Sequence, residues 1–258
     1  MQLRELDNYI GRLLEVSRFR DYCPNGIQVE GRAEVYRIAT GVTASQKLLE
    51  EATAWGADAI LVHHGYFWRN EAQAVTGIKK RRLAHLLQHD VSLLAYHLPL
   101  DAHPELGNNA QLAQRLGLLP QGLFGDQNIA WHGELQRPQT LAQFAEHIAG
   151  SLQRVPLLIG DGDRMLHRIA WCSGGAQSYF EQAVALGVDA FLTGEISEQN
   201  VHVAQETGVA FIAAGHHATE RYGVQALGET LLDNGKLSIV FLIWIIQFSC
   251  KCKIRNLL

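Results

Sequence analysis

Apolar and polar positions follow one another along this chain in a pattern that predicts strands and helices in turn. In the first half, the run Ala59 to Val62 is wholly apolar, which is typical of a strand covered on both faces. The predicted helix before it places Leu48, Leu49 and Ala52 on one face. The predicted order is strand 35–42, helix 46–55, strand 59–62, helix 78–88 and strand 91–96. This alternation predicts an α/β layered fold.

The second half repeats this plan and part of its sequence. Arg37-Ile38-Ala39 and Gly56-Ala57-Asp58 return as Arg168-Ile169-Ala170 and Gly187-Val188-Asp189. We therefore expect duplicated α/β units related by a pseudo-twofold axis, with mixed sheets flanked by helices and a site between the two halves. The predicted second series is strand 168–172, helix 177–186, strand 190–193, helix 197–206, strand 209–214, helix 218–233 and a final strand from 237 to about 243. The expected divisions are a first lobe at 1–119, a connecting insert or bridge at 120–166, a second lobe at 167–241 and an atypical tail at 242–258.

Composition narrows the class of protein. The 258 residues are 47% hydrophobic and 19% charged, which is ordinary for a soluble globular protein. The net charge of -4 gives no electrostatic reason to expect duplex DNA or an anionic membrane as a partner. The four cysteines form no CxxC pair, which argues against a zinc finger or a disulfide framework. The N-terminus does not resemble a signal peptide and the apolar run 237–246 is too short to span a membrane, so we expect a cytoplasmic protein.

Titratable side chains follow predicted strands at four places. They are His63-His64, His97, Glu195 and His216. In open α/β sheets, ligands bind beyond the carboxyl ends of the strands, so these side chains are candidates for one site. Adjacent residues on a strand point to opposite faces. His63 and His64 can therefore serve one site only if the backbone turns near Gly65 or if each binds a different ion; the alternative is a pair of core histidines.

Each half also carries a histidine four residues before a carboxylate. His97 precedes Asp101, and His216 precedes Glu220. Each pair has an ordinary explanation, since Glu220 would suit a first helical turn, while Asp101 would suit a turn because Pro99 makes a helix unexpected there. Their repetition at equivalent points favours a two-metal centre at the junction of the halves. Imidazole and carboxylate donors without thiolate suit Zn, Mn, Fe, Co or Ni, and the sequence does not distinguish among these metals.

Two loops are further candidates. The stretch 21–31, with its Pro-Asn-Gly turn, is either an ordinary loop or a lip that faces a substrate. Ser173-Gly174-Gly175 lies between a predicted strand and helix, where backbone amides could cradle a phosphate. A tight turn that requires glycine explains it equally well. The chain has no GxxxxGK[ST] and no GxGxxG, so ATPase and dinucleotide-binding functions lack support.

Taken together, these motifs resemble the GTP cyclohydrolase I type 2-like family of dinuclear-metal proteins, and the chain looks closest to the family's bacterial YbgI members. The resemblance spans about residues 5 to 241. Its motifs are the stretches 24–31, 62–65, 97–101, 107–109, 171–175, 193–195 and 215–221.

This resemblance implies two divalent ions per subunit, bridged by carboxylates, and a toroidal homohexamer with its metal sites facing an internal cavity. The implied metal ligands are His63, His64, Asp101, His216 and Glu220. His97 belongs to the motif but is expected next to the ligands rather than among them. The family name does not carry a substrate with it.

Two functions are consistent with these observations. The first is a metal-dependent hydrolase that acts on a nucleotide or a similar small molecule through metal-activated water, with His97 or Glu195 as the catalytic proton carrier. The alternative is a non-enzymatic metal-binding ring scaffold that binds partner proteins. The tail from residue 242 departs from the family pattern, and we expect it to be foreign to the fold.

Overall fold

The computed structural model describes residues 1–232 and 237–242, and the structural statements concern these residues. The helices are α1 (Leu3–Leu13), α2 (Gln46–Trp55), α3 (Gly77–His89), α4 (Leu98–Ala102), α5 (Asn108–Leu116), α6 (Leu141–Leu152), α7 (Phe180–Ala185), α8 (Glu198–Thr207) and α9 (His216–Leu232). The strands are β1 (Gly26–Val29), β2 (Arg37–Thr43), β3 (Ala59–His64), β4 (Ser92–Ala95), β5 (Leu118–Phe124), β6 (Ala130–Thr140), β7 (Leu157–Ile159), β8 (Met165–Trp171), β9 (Ala190–Thr193), β10 (Ala210–Ala213) and β11 (Ser238–Phe241).

Two mixed sheets organise the chain. The first has the strand order β1-β4-β3-β2-β11, in which β1 is antiparallel to β4 and the other neighbours are parallel. The second has the order β5-β6-β8-β9-β10-β7, in which β8, β9 and β10 are parallel and the outer pairings are antiparallel. Helices cover both, which confirms the predicted α/β fold with mixed sheets flanked by helices.

The stretch 120–166 contributes strands to the second sheet. Most of β5, all of β6 and β7, and helix α6 lie in this stretch. β6 pairs with β8, and β7 pairs with β10. Conversely, β11 from the end of the chain pairs with β2 in the first sheet. The lobe boundaries at 119, 166 and 241 stay a prediction, although the hydrogen bonding joins the middle stretch to the second sheet.

The repeated sequence folds locally in the same way in both halves. Gly56 and Gly187 each end a helical segment at positive φ, 82° and 69°, which glycine adopts without steric cost. Two residues later, the Asp58 carboxylate accepts the backbone N–H groups of residues 36 and 37. The Asp189 carboxylate accepts those of residues 167 and 168 in the same manner. In each half, the aspartate therefore fixes the start of one strand against the turn that leads into the next.

Helix α9 packs against both sheets. Its first part contributes Ala218 and Tyr222 to the core over β8, β9 and β10. Its second part contributes Val224 and Leu227 to the core over β2 and β3. The first turn of α9 consequently lies at the junction of the two halves, and His216 and Glu220 are four residues apart at this end of the helix.

Two local predictions need correction. Asp101 lies in a helix, α4, rather than in a turn, and Pro99 is accommodated because it occupies the first helical turn, where no intrahelical N–H is required. His216 is the first residue of α9 and does not precede that helix, which starts two residues earlier than predicted. Of the predicted tail at 242–258, residues 243–258 lie outside the described residues, as does the predicted helix stop at 234–235. Within the described residues, no helix combines the length and apolar character needed to cross a membrane.

Candidate metal centre

Side chains from three elements converge where the two sheets meet. His63 and His64 are the last two residues of β3, Asp101 lies in α4, and His216 and Glu220 lie at the start of α9. His63 is fully buried, and Asp101 and Glu220 are only 5% and 3% exposed. Burying two carboxylates and an imidazole away from water is costly unless they are paired or bind a cation. The cluster is therefore a candidate site for a bound cation.

Glu220 is shared between two groups of donors. Its Oε1 lies 3.5 Å from Nε2 of His63. Its Oε2 lies 3.2 Å from Nε2 of His64 and 3.0 Å from Nε2 of His216. Nε2 of His63 is also 3.5 Å from Oδ1 of Asp101. The two oxygens of one carboxylate thus face different histidines.

The two neighbouring histidines join different groups, although both lie within β3. His63 groups with Asp101 and Glu220, whereas His64 groups with His216 and Glu220. Their ring centroids are only 4.5 Å apart. The sequence left open either a backbone turn or separate ions for the two rings. The two groups that share Glu220 are compatible with the second arrangement, since the strand runs on through both residues. A third group brings His63 and His64 together with His97.

The Nδ1 atoms of three histidines, His63, His64 and His216, each contact a polar group outside the cluster. His63 Nδ1 donates to the Tyr96 carbonyl oxygen at 3.0 Å. His64 Nδ1 lies 3.2 Å from the Thr43 hydroxyl, and His216 Nδ1 lies 2.6 Å from Oε1 of Glu195. Anchoring one ring nitrogen fixes the tautomer and the ring orientation of a metal-binding histidine. Here the anchors direct the Nε2 atoms towards Glu220.

Asp101 is oriented by buried polar neighbours. Its Oδ1 accepts hydrogen bonds from Asn108 Nδ2 at 2.8 Å and from the Ser173 hydroxyl at 2.9 Å. Asn109 connects the backbones of these two residues. Its Oδ1 accepts the Ser173 backbone N–H, and its Nδ2 donates to the Asp101 carbonyl oxygen. The sequence indicated Asp101 as a ligand, whereas Asn108 and Asn109 entered only as part of the motif 107–109, because nothing in a local pattern reveals that an asparagine will be buried.

The electrostatics of the cluster favour a cation. Burial opposes the charged form of His63, but the carboxylates of Asp101 and Glu220 outweigh it and raise the pKa of His63 to about 9. Burial also opposes charge at His216, yet Glu220 and then Glu195 raise its pKa to about 9. Burial and the neighbouring histidines lower the pKa of His64 to about 3. For Glu220, the effect of burial is overcome by the adjacent histidines, which lower its pKa.

The residues present fit a bound metal. Among the described residues, Nε2 of His63 and Oε2 of Glu220 are buried without a hydrogen-bond partner of acceptable geometry. These are lone-pair atoms of the kind that ligate borderline divalent ions. The ligand atoms of His63, Asp101 and Glu220 lie within 4.8 Å of one another, as do those of His64, His216 and Glu220. Both groups can therefore hold an ion, with Glu220 common to the two.

His97 faces the cluster from the side of the first lobe. Its ring centroid is 5.1 Å from that of His63 and 5.7 Å from that of His64. Its Nδ1 lies 2.7 Å from Oδ1 of Asp21, and the second oxygen of Asp21 accepts the N–H of Leu98 at 2.9 Å. Burial opposes the charge of Asp21, but His97 overcomes it and lowers the carboxyl pKa.

Asp21 is the functional residue that the sequence pattern did not single out. It belongs to the loop that was a candidate lip, yet it is 76 residues from the histidine that it orients. The nearby thiol of Cys23 is an unsuitable ligand, because burial and the charge of Asp21 raise its pKa to about 12. Glu195, the other candidate proton carrier, touches the cluster through Nδ1 of His216.

The Ser173–Gly174–Gly175 turn packs against the cluster instead of presenting its amides as a phosphate cradle. The Ser173 N–H donates to Asn109 and the Gly174 N–H donates to Thr219, so these donors are already used within the protein. A Cβ on Gly174 would lie 2.0 Å from Oε1 of Glu220, and its φ is +67°. Glycine is required here because the backbone passes directly beside the carboxylate.

Comparison with known proteins agrees with the fold. The family model for Duf34/NIF3 (NGG1p interacting factor 3) matches residues 1–248, which extends past position 241. A Pseudomonas aeruginosa protein named GTP cyclohydrolase 1 type 2 homolog is 59% identical over 223 residues, covering 85% of this chain and 88% of that protein.

Solved structures show the same fold. The protein ybgI, described as of unknown function, superimposes with a TM-score of 0.90 at 49% identity, covering 94% of this chain and 98% of that one. The protein TTHA1606 from Thermus thermophilus gives a TM-score of 0.86 at 32% identity, with 95% and 99% of the two chains covered. The family resemblance read from the sequence is thereby confirmed.

Proposed function

We propose, from the premise that the chain belongs to the Duf34/NIF3 family, that it is a metal-dependent hydrolase with two divalent ions per subunit. The observation that carries this proposal is the position of Glu220, whose two oxygens face separate histidine groups. One ion would be held by His63, Asp101 and Glu220, and the other by His64, His216 and Glu220. A carboxylate placed in this way is suited to bridge two ions.

Bound ions would supply a water of lowered pKa as the nucleophile and would polarise the bond to be cleaved. The chain's own residues supply position and proton transfer. His97 is the proton carrier, since Asp21 fixes its Nδ1 and leaves Nε2 directed to the cluster side. Glu195 acts through His216, whose ring it orients.

The site is open to a small molecule. A cleft of about 550 Å³ is lined by residues of both halves, among them His64, His97, His216 and Glu220. This volume lies in the range of small-molecule sites. A nucleotide or a similar small molecule, hydrolysed at a C–N or phosphoester bond, is the substrate class that we propose.

The second candidate is a ring scaffold that binds partner proteins and uses its ions to hold the fold. The family's description, NGG1p interacting factor 3, is the observation that favours it. For either function we propose a toroidal homohexamer, which light scattering of the purified protein would test.

The two functions differ in what happens when a ligand is removed. We expect Glu220→Gln and His64→Ala to lose bound metal, measured as metal content per subunit by mass spectrometry, and to lose turnover in a screen of nucleotides and phosphoesters, while the assembly persists. Glu229→Gln is the matched control, because Glu229 is an exposed acid on the same helix. Disassembly of both ligand variants, with no turnover in the wild type under any metal, would favour the scaffold and reject the hydrolase.

A further inference from the structure

The cleft above the candidate metal centre has an aromatic wall. Trp68 is half-buried and lines the cleft together with Tyr22 and Tyr179. The ring centroid of Trp68 lies 5.0 Å from that of His97 in an edge-to-face arrangement, and 6.1 Å from that of His64. Tyr22 flanks His97 from another direction, with centroids 6.4 Å apart. The proposed proton carrier is thus bordered by two aromatic rings that also line the cleft.

The loop that carries Trp68 is held in place before any ligand arrives. The Glu71 carboxylate accepts the backbone N–H groups of Phe67 and Trp68 at 3.0 and 3.2 Å. Phe67 has a φ of +64°, a left-handed conformation that is costly for a large side chain. Strain of this kind persists where the surrounding structure holds it and is characteristic of ligand-binding segments. Its effect here is to direct the backbone so that Trp68 lies along the cleft.

Apart from the ions that the centre would hold, the described lining of the cleft supplies no permanently charged cation for a polyanion. Among the described residues that line it are the acids Asp101, Asp126 and Glu220, and none is a lysine or an arginine. Arg69, next to Trp68, is already engaged, since it donates to the Asp21 carbonyl oxygen and lies over the Tyr22 ring. Proteins that bind triphosphates use several fixed cationic side chains or backbone amides in addition to metal.

We propose that this cleft binds the planar aromatic or heteroaromatic part of its substrate by stacking on Trp68, and that the substrate carries no polyphosphate. This inference rests on the proposed hydrolase, whose substrate class it narrows. The reacting bond would lie over the metal centre, and at most one anionic group would be held there. Trp68 is a specificity-determining residue in this arrangement, because a ring stacked on it lies beside His97 and His64.

Binding rather than turnover tests the inference. Guanosine and GTP are the probes. GTP is the direct comparison because the Pseudomonas aeruginosa relative is named GTP cyclohydrolase 1 type 2 homolog. Titration calorimetry on the full-length, metal-loaded protein should show that GTP binds no tighter than guanosine. Trp68→Ala should weaken guanosine binding by about fivefold to hundredfold, the range measured for the loss of base stacking on an aromatic side chain.

Two variants control this measurement. Trp68→Phe keeps a flat ring and should lose less affinity than Trp68→Ala. Trp55→Ala removes a tryptophan that packs under Arg37 and lies outside the cleft, and its guanosine affinity should stay within about twofold of the wild type. Metal content is measured on each protein.

Three results would overturn the inference: GTP binding more than about tenfold tighter than guanosine, unchanged guanosine binding in Trp68→Ala, or no guanosine binding to metal-loaded protein. A protein that binds no metal at all would instead reject the proposed hydrolase.

Discussion

At the scale of single residues, the buried charge of Glu220 determines whether the cluster can attract cations. Glu220 is buried and carries a lowered pKa because His63, His216 and His64 surround it. A carboxylate that stays ionised in a buried position needs compensating positive charge. Without metal, protonated histidines provide that charge, and bound ions would replace those protons. In the proposed function, the same side chain would therefore be a counter-charge in one state and a ligand in the other.

Gly174→Ala should disrupt the centre mainly through Glu220, and to a lesser extent through His216, whose Nε2 would lie 3.2 Å from the new Cβ. The new Cβ would lie 2.0 Å from Oε1 of Glu220, so the carboxylate must move. We expect metal affinity to fall about 100-fold or more, because displacement of a ligand exceeds the 10–100-fold effect of losing an outer partner. Calorimetric titration with Zn²⁺ measures this change.

Gly187→Ala separates that effect from backbone strain. Gly187 has a φ of +69°, close to the +67° of Gly174, but the side-chain atom that its Cβ would meet is Arg168 Nη1 at 3.4 Å. This control should lose about 1–2 kcal/mol of stability from the left-handed conformation and keep its metal affinity. Equal metal affinity in the two variants would contradict the assigned role of Gly174.

Metal binding should depend on pH because the ions compete with protons. In the metal-free protein, the pKa values of His63 and His216 are about 9, above their ordinary 6.5. Their protonation stabilises the metal-free fold fully below pH 6.5, and this contribution is lost as the pH rises through about 9. Zn²⁺ affinity should accordingly increase over this interval, by up to about tenfold per pH unit for each histidine.

Proton release gives an independent measure of that competition. Titration with Zn²⁺ near neutral pH in two buffers of different ionisation enthalpy should report protons leaving the protein. Glu195→Gln, which removes a charge that raises the pKa of His216 but is not a proposed ligand, is the informative variant, since it should release fewer protons. Affinity and heat that do not change with pH or buffer would contradict the assignment.

At the scale of elements, the site depends on how α4 and α5 present Asp101. Asn108, the first residue of α5, donates to Asp101 and accepts the backbone N–H of Gly223 in α9. It is fully buried, and it therefore links three helices through hydrogen bonds. This link positions the ligand from the first half against the helix that carries the ligands of the second.

Asn108→Ala should weaken both the fold and the centre. It removes a side-chain acceptor from the Gly223 N–H and one donor from Asp101, and each buried group left unsatisfied costs about 1–3 kcal/mol. We expect a loss of about 2–4 kcal/mol in the free energy of unfolding by urea, together with a fall of about 10–100-fold in metal affinity. Gln111→Ala, at a half-buried position on α5 whose side chain makes a solvent-exposed hydrogen bond, should change stability by under about 0.5 kcal/mol. If Asn108→Ala behaved like this control, Asn108 would not position Asp101.

The strands and helices that could be predicted are those whose signals lie within a short stretch of sequence. β3 and β9 could be located because short apolar runs end at turn residues, and Ala190–Thr193 was predicted with its observed bounds. His63 could be assigned to a strand end for the same reason. The contact between Asp21 and His97 could not be predicted, since no local pattern encodes a hydrogen bond across 76 residues. The pairing of β11 with β2 joins residues 200 apart and was missed on the same grounds.

At the scale of the whole molecule, the candidate centre spans the two sheets. His63 and His64 come from the first sheet, whereas Ser173 and Glu195 follow strands of the second. Helix α9 contacts both cores and carries the shared carboxylate. Ions at this junction would add contacts between the halves that the apolar cores do not supply.

Removal of the ions should therefore lower the stability of the whole chain. A ligand that binds only the folded state stabilises it by about 2.7 kcal/mol at one hundred times its dissociation constant. For a chain of this size, that energy corresponds to roughly 5–10 °C in Tm. We expect dialysis against EDTA to lower Tm by this amount in scanning calorimetry, and Zn²⁺ or Mn²⁺ to restore it. Glu220→Gln, in contrast, should unfold at one temperature with or without EDTA, because its centre is already incomplete. A wild-type Tm that EDTA leaves unchanged, in protein shown to have lost its metal, would mean that the two sheets do not depend on ions for their association.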